Sequence, residues 1–166
     1  SILKTKQHQK MKKTIVVALL SITLLFNSCS KEDSGCVQNP ISAEKAEMIK
    51  FCTDNGIAYT EHSSGLLYQI ITLGSTITPT QDSRVFMFYT GKLMNGTTFE
   101  YQSDPTQTGW TLKQLIEGWR IGVPLIQKGG RIKLIIPSSL AYGCTGAGKI
   151  PSNSPLYFDL TLTEVQ

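Results

Sequence analysis

Histidine is nearly missing from this 166-residue chain, which holds only His8 and His62. The first stands in a leader-like stretch and the second in a linker. A Ser-His-Asp or Cys-His catalytic set therefore has no base, and a histidine-ligated metal has no ligands. No glycine-rich phosphate loop is present either. Gly146-Ala147-Gly148-Lys149 has a lysine but neither the required spacing nor a following Ser or Thr, which excludes a kinase or NTPase. None of the four cysteines has the two-residue spacing of a zinc or thiol-redox motif. Glu100 and Asp104 are close in sequence, yet two isolated carboxylates in polar surroundings read as solvated charge rather than an acid/base pair. Neither a metal nor a cofactor is expected. Charge of one sign is also lacking: although the whole chain carries +4, residues from Cys29 onward hold 11 lysines and arginines against 12 carboxylates, a net of −1. That balance gives no electrostatic basis for binding nucleic acid.

Long apolar runs are absent too. The longest, Ile15 to Phe26, has 12 residues, short of the ~20 that a spanning helix needs, and it follows Met11-Lys12-Lys13. Basic residues, a short apolar stretch and the small Ser28 form the pattern of a secretory leader over residues 1–28, with Met11 as the natural start and Ser1 to Lys10 upstream of it. Leu25-Phe26-Asn27-Ser28-Cys29 resembles a bacterial lipobox of the looser kind familiar in Bacteroidetes, with Phe26 where leucine is usual. Cys29-Ser30-Lys31-Glu32-Asp33 resembles the signal that sends such lipoproteins to the outer surface. The resemblance implies that Cys29 is acylated, palmitate included, and anchors the protein to a membrane of the cell envelope, with residues 29–40 as a lipidated tether. Cys36, Cys52 and Cys144 would then remain in an oxidising compartment, and one bridge among them has three candidate pairings.

Residues 41–62 read as a short helix and a linker, with Ser42 as N-cap, Glu44 in the first turn and Asn55-Gly56 as the stop. A partner-docking role for this helix is one candidate function. From Ser63 the pattern turns to strands. Leu66 to Thr72 is strand-like, and Arg84 to Leu93 is apolar on both faces, as in a strand covered on both sides. Asn95-Gly96 predicts a two-residue type I′ hairpin into Thr97 to Tyr101. Arg131 to Ile136 alternates, and Leu156, Phe158, Leu160 and Leu162 share one face of a last strand. Between these, Leu112 to Gly122 has helical spacing at Ile116, Trp119 and Val123, limited by Pro124. The outcome is an α+β domain over residues 63–166, a curved antiparallel sheet with one short helix.

Four segments then stand out. They are Phe88-Tyr89-Thr90-Gly91-Lys92-Leu93 with Asn95-Gly96-Thr97-Thr98-Phe99-Glu100, Leu115-Ile116-Glu117-Gly118-Trp119, Pro137 through Ala141-Tyr142-Gly143, and Ile150-Pro151 through Phe158-Asp159. In that order they resemble the FKBP-type peptidyl-prolyl isomerases, the macrolide-binding immunophilins, over about Leu66 to Val165. The resemblance implies a five- to six-stranded half-barrel wrapped around the short helix, with an apolar cleft between them. It implies that Tyr89, Phe99, Glu100, Trp119, Tyr142 and Phe158 act on the substrate, and that Trp110, Leu115, Ile116 and Ile150 bind it. Glu100 stands where the family usually has Asp. It implies Pro-containing peptides or proteins as substrates, macrolides as inhibitors, and a monomer. The rival reading on the same scaffold is a non-catalytic peptide-binding chaperone module.

Overall fold

A computed structural model describes residues 35–166. The leader, Cys29 and the first half of the tether, through residue 34, lie outside the described residues. Helix α1 (Ile41–Asp54) opens the described chain. It is followed by strands β1 (Thr60–Glu61), β2 (Leu67–Thr72), β3 (Arg84–Leu93), β4 (Thr98–Gln102) and β5 (Trp110–Thr111), helix α2 (Glu117–Gly122), and strands β6 (Arg131–Ile136) and β7 (Leu156–Val165). All pairings are antiparallel, in the spatial order β1-β2-β6-β7-β3-β4, with β5 on the outer end of β3. Seven strands replace the five to six expected, because β1 and β5 are two-residue pairings too short to leave a periodic signal.

The main core lies on the concave face. There Val85, Met87, Tyr89, Leu134, Ile136, Phe158, Leu160 and Leu162 meet Trp119 and Val123. The alternation in β7 works as predicted on this face. On the other face Tyr157 is also buried, because α1 covers the sheet there: Phe51 packs on Tyr157 at 5.1 Å, with Met48, Cys52, Leu67 and Ile135 around them. Cover on this side does not extend to β3, where Phe88 is 42% exposed. The expected two-sided burial of that strand is corrected accordingly.

Local chemistry explains three further departures. The α1 N-cap is Pro40, not Ser42, and it makes no side-chain cap bond; with its φ fixed near −68° and its ψ extended, Pro40 starts the helix two residues earlier. The turn after β3 is a three-residue loop rather than a type I′ turn. Gly96 N–H donates to the Leu93 carbonyl at 2.9 Å, and only Gly96, at φ 86°, takes the left-handed conformation, with Asn95 on the ordinary side. The expected helix over Leu112 to Gly122 is broken: Leu112–Gln114 is a single 3-10 turn, Leu115 and Ile116 are extended, and α2 starts at Glu117. Gly118 and Gly122 let this helix lie directly on β6, since a Cβ would meet Ile136 at 2.4 Å and Leu134 at 2.6 Å.

The segment before α1 is fastened to the folded unit. Of the three pairings, Cys36–Cys144 is the disulfide, with Cα atoms 5.4 Å apart, and Cys52 is a buried free thiol. Burial pushes that thiol from 9.0 up to about 11. The tether thus meets the domain at Cys36, ahead of Pro40.

Candidate active site

The sheet's concave face, α2 and the turn after β6 enclose a cleft of about 280 Å³ lined by Tyr89, Glu100, Trp110, Gln114, Leu115, Ile116, Trp119, Tyr142 and Phe158. Its floor is a packed set of rings. Trp119 stands edge-on to Tyr89 at 4.9 Å and to Phe158 at 5.0 Å, Phe99 stands edge-on to Phe158 at 5.6 Å, and Trp110 is 6.5 Å from Trp119. Such edge-to-face pairs are favoured by the ring quadrupoles and fix one another's orientation. Gly91 makes the pairing of Phe99 with Phe158 feasible, because a Cβ there would lie 2.7 Å from one ring and 2.9 Å from the other.

Eight of the ten residues singled out from the sequence line this cleft. Phe99 and Ile150 do not. They line an adjoining hollow of about 370 Å³ with Ala147, Gly148 and Lys149, and Glu100 and Tyr142 form the shared wall. Gln114 is the lining residue that sequence reasoning missed. A continuous helix from Leu112 would have set it on a solvent face, whereas the break at Leu115-Ile116 turns it to the cleft's edge.

The polar side chains of the cleft are those of Tyr89, Glu100, Gln114 and Tyr142, with the Trp110 and Trp119 indoles. Glu100 is the one charged residue on the wall of the main cleft. Tyr142 is 36% exposed, and burial first and the Glu100 carboxylate second push its phenol above the usual value. Tyr89 is raised further, by burial and then by Glu100. A phenol is already protonated at neutral pH, and these shifts carry that state further into the alkaline range. Because Ile116 is extended just ahead of α2, its backbone N–H has no protein acceptor among the described residues. The Trp119 indole N–H is buried without a partner among them too, among rings rather than carbonyls. No group of three or more metal-ligating side chains occurs among the described residues. The site offers a ring-floored cavity with polar groups in its wall and a phenol and a free amide at its rim.

A family model for the FKBP-type peptidyl-prolyl cis-trans isomerases matches residues 75–163. The chain belongs to this family. Among named relatives, the FKBP-type peptidyl-prolyl cis-trans isomerase FkpA of Aeromonas hydrophila is 36% identical over 82% of this chain and 50% of its own length. A probable FKBP-type isomerase of Haemophilus influenzae is 33% identical over 96% of this chain and 65% of its own. The chain spans about half the length of most of the curated relatives it matches. Two crystal structures are similar: a peptidyl-prolyl cis-trans isomerase from Pseudomonas syringae, with a TM-score of 0.64 at 28% identity over 78% of this chain and 98% of that one, and FkpA from Escherichia coli, with a TM-score of 0.62 at 29% identity over 95% of this chain and 72% of that one.

Proposed function

We propose that this protein accelerates cis/trans rotation of X-Pro peptide bonds in folding proteins by binding the twisted amide. The rotation breaks C–N conjugation, with a barrier of ~18–20 kcal/mol, and each ~1.4 kcal/mol removed is tenfold in rate. A twisted amide has a less polar carbonyl than a planar one, so a water-poor aromatic cavity favours it over the ground state. The observation that carries this reading is the ring-floored cleft with Tyr142 and the unengaged Ile116 N–H at its rim. In this proposal those two groups hold the substrate carbonyl while Trp119, Phe158 and, behind it, Phe99 cradle the proline ring. Glu100 is the one charge on the cleft wall, next to the Tyr89 and Tyr142 phenols, which it raises after burial does. The cleft's volume lies just under the ~300–1,000 Å³ of drug-sized pockets, which suits one ring and its flanking amide.

The test is a protease-coupled or NMR-exchange assay of a Pro-containing peptide, with and without a rapamycin-type macrolide. Macrolide-sensitive acceleration supports the isomerase. A folded protein that binds the peptide without acceleration supports the chaperone-module reading instead. We further propose a monomer held at the cell envelope, on the outer membrane, by acylation at Cys29, with each buried methylene of the acyl chains contributing ~0.8 kcal/mol. Palmitate labelling and membrane fractionation of wild type and Cys29→Ala test the anchor; an unlabelled wild type removes it.

A further inference from the structure

We propose that Glu44 is a positioning residue for Tyr142, acting through Ser138; the proposal rests on the isomerase reading for its catalytic consequence. Glu44 lies on α1, outside the span matched by the family, and is only 3% exposed. Among the described residues no cation pairs with it. A buried carboxylate without a cation is expensive unless hydrogen bonds replace its water. Both of its oxygens are used on one residue: Oε2 accepts the Ser138 backbone N–H at 2.8 Å, and Oε1 accepts the Ser138 hydroxyl. No apolar residue could read that pair of donors.

Ser138 in turn governs the turn that carries Tyr142. Its carbonyl accepts the N–H of Ala141 at 2.9 Å and of Gly143 at 2.8 Å, the two residues flanking Tyr142. The same turn is gripped from the segment before α1. Gln38 Nε2 donates to Ser138 Oγ at 2.8 Å, and Cys36 is bonded to Cys144. The Tyr142 ring projects from a half-exposed turn with no strand or helix of its own to hold it. Its place at the cleft rim is set by this chain of contacts from α1.

The experiment measures kcat and KM for peptide isomerisation by the full chain as wild type, Glu44→Ala, Glu44→Gln, Tyr142→Phe and the double variant Glu44→Ala/Tyr142→Phe. Amide hydrogen exchange at Ala141 and Gly143 is followed in parallel. Glu44→Ala should lower kcat/KM by about twofold to fivefold, no more than Tyr142→Phe does, and mainly in kcat. Glu44→Gln, which keeps an acceptor for the Ser138 N–H, should recover most of it. Glu44→Ala should add nothing to Tyr142→Phe, and exchange at the two amides should quicken while β6 and β7 keep their protection. Multiplicative losses in the double variant, or unchanged exchange in Glu44→Ala, would overturn the proposal. Should Glu44→Ala not fold, Ser138→Ala with the same readouts decides. If wild type itself does not isomerise the peptide, the isomerase reading fails, and the exchange data alone decide whether Glu44 holds the turn.

Discussion

Tyr142 and Trp119 sit in one cleft and should fail differently when changed. Tyr142 is 36% exposed and its side chain supports no core contact, whereas Trp119 is 4% exposed and touches three other rings. Tyr142→Phe removes one hydroxyl at the rim. On the proposed mechanism it should lower kcat/KM by about fivefold, near 1 kcal/mol, with an unchanged urea midpoint. Equal activity at equal folded fraction would remove the hydroxyl from the mechanism. Trp119→Ala should instead cost about 3–5 kcal/mol of stability, read by denaturant unfolding, along with activity. At this scale the sequence was informative about identities and less so about grouping. Aromatic residues on inward faces mark a core but not which part of it is left open. Phe99 and Ile150 were grouped with the cleft yet line the adjoining hollow, and Gln114 was invisible because its direction depends on a helix break.

Helix α2 shows how local propensity and packing can oppose each other. In an isolated helix Gly118→Ala would gain up to ~1 kcal/mol. Here the added Cβ would meet Ile136 at 2.4 Å, in a core with no slack, so overpacking should win by about 1–3 kcal/mol. A lower urea midpoint with near-normal slope is the expected result; a raised midpoint would show that α2 is not seated on β6. Strand positions were legible in the sequence, Arg84 to Leu93 as an apolar run and Arg131 to Ile136 and the strand from Leu156 as alternation, although the last continues two residues past Thr163 to Val165. The joints between elements were not. The Asn95-Gly96 pair announces a hairpin, but loop length decides which residue turns left-handed, and that depends on the register of β3 against β4. Likewise the apolar spacing from Leu112 to Val123 fits one helix, while tertiary contact splits it and leaves the Ile116 amide unused.

Across the whole molecule, two features tie stability to solution conditions. The Cys52 thiol and the Tyr89, Tyr142 and Tyr157 phenols are all raised, chiefly by burial, so each binds its proton more tightly folded than unfolded. Their contribution is complete below the unfolded values and is lost as pH climbs past them, which for Cys52 begins near 9.0 and ends near 11. Urea midpoints should therefore fall between pH 8 and 10.5, and less steeply in Cys52→Ala; a flat profile would contradict the burial of these groups. The disulfide acts on the other state of the equilibrium. Cys36 and Cys144 are 108 positions apart, so their bond restricts the unfolded chain over nearly the whole domain and should be worth on the order of 2–4 kcal/mol. Cys36 is exposed and reachable by reductant, while Cys52 is shielded by Phe51 and Met48. Leaving Cys29 aside, native protein should show no reactive thiol, mild reduction should release two, and only denaturation should reveal the third. The reduced protein, or Cys36→Ser/Cys144→Ser, should melt lower by on the order of 5–15 °C while keeping its sheet by circular dichroism. An unchanged melting temperature would mean that the noncovalent grip of residues 37–44 already holds this end of the chain in place, and that the disulfide adds nothing to it.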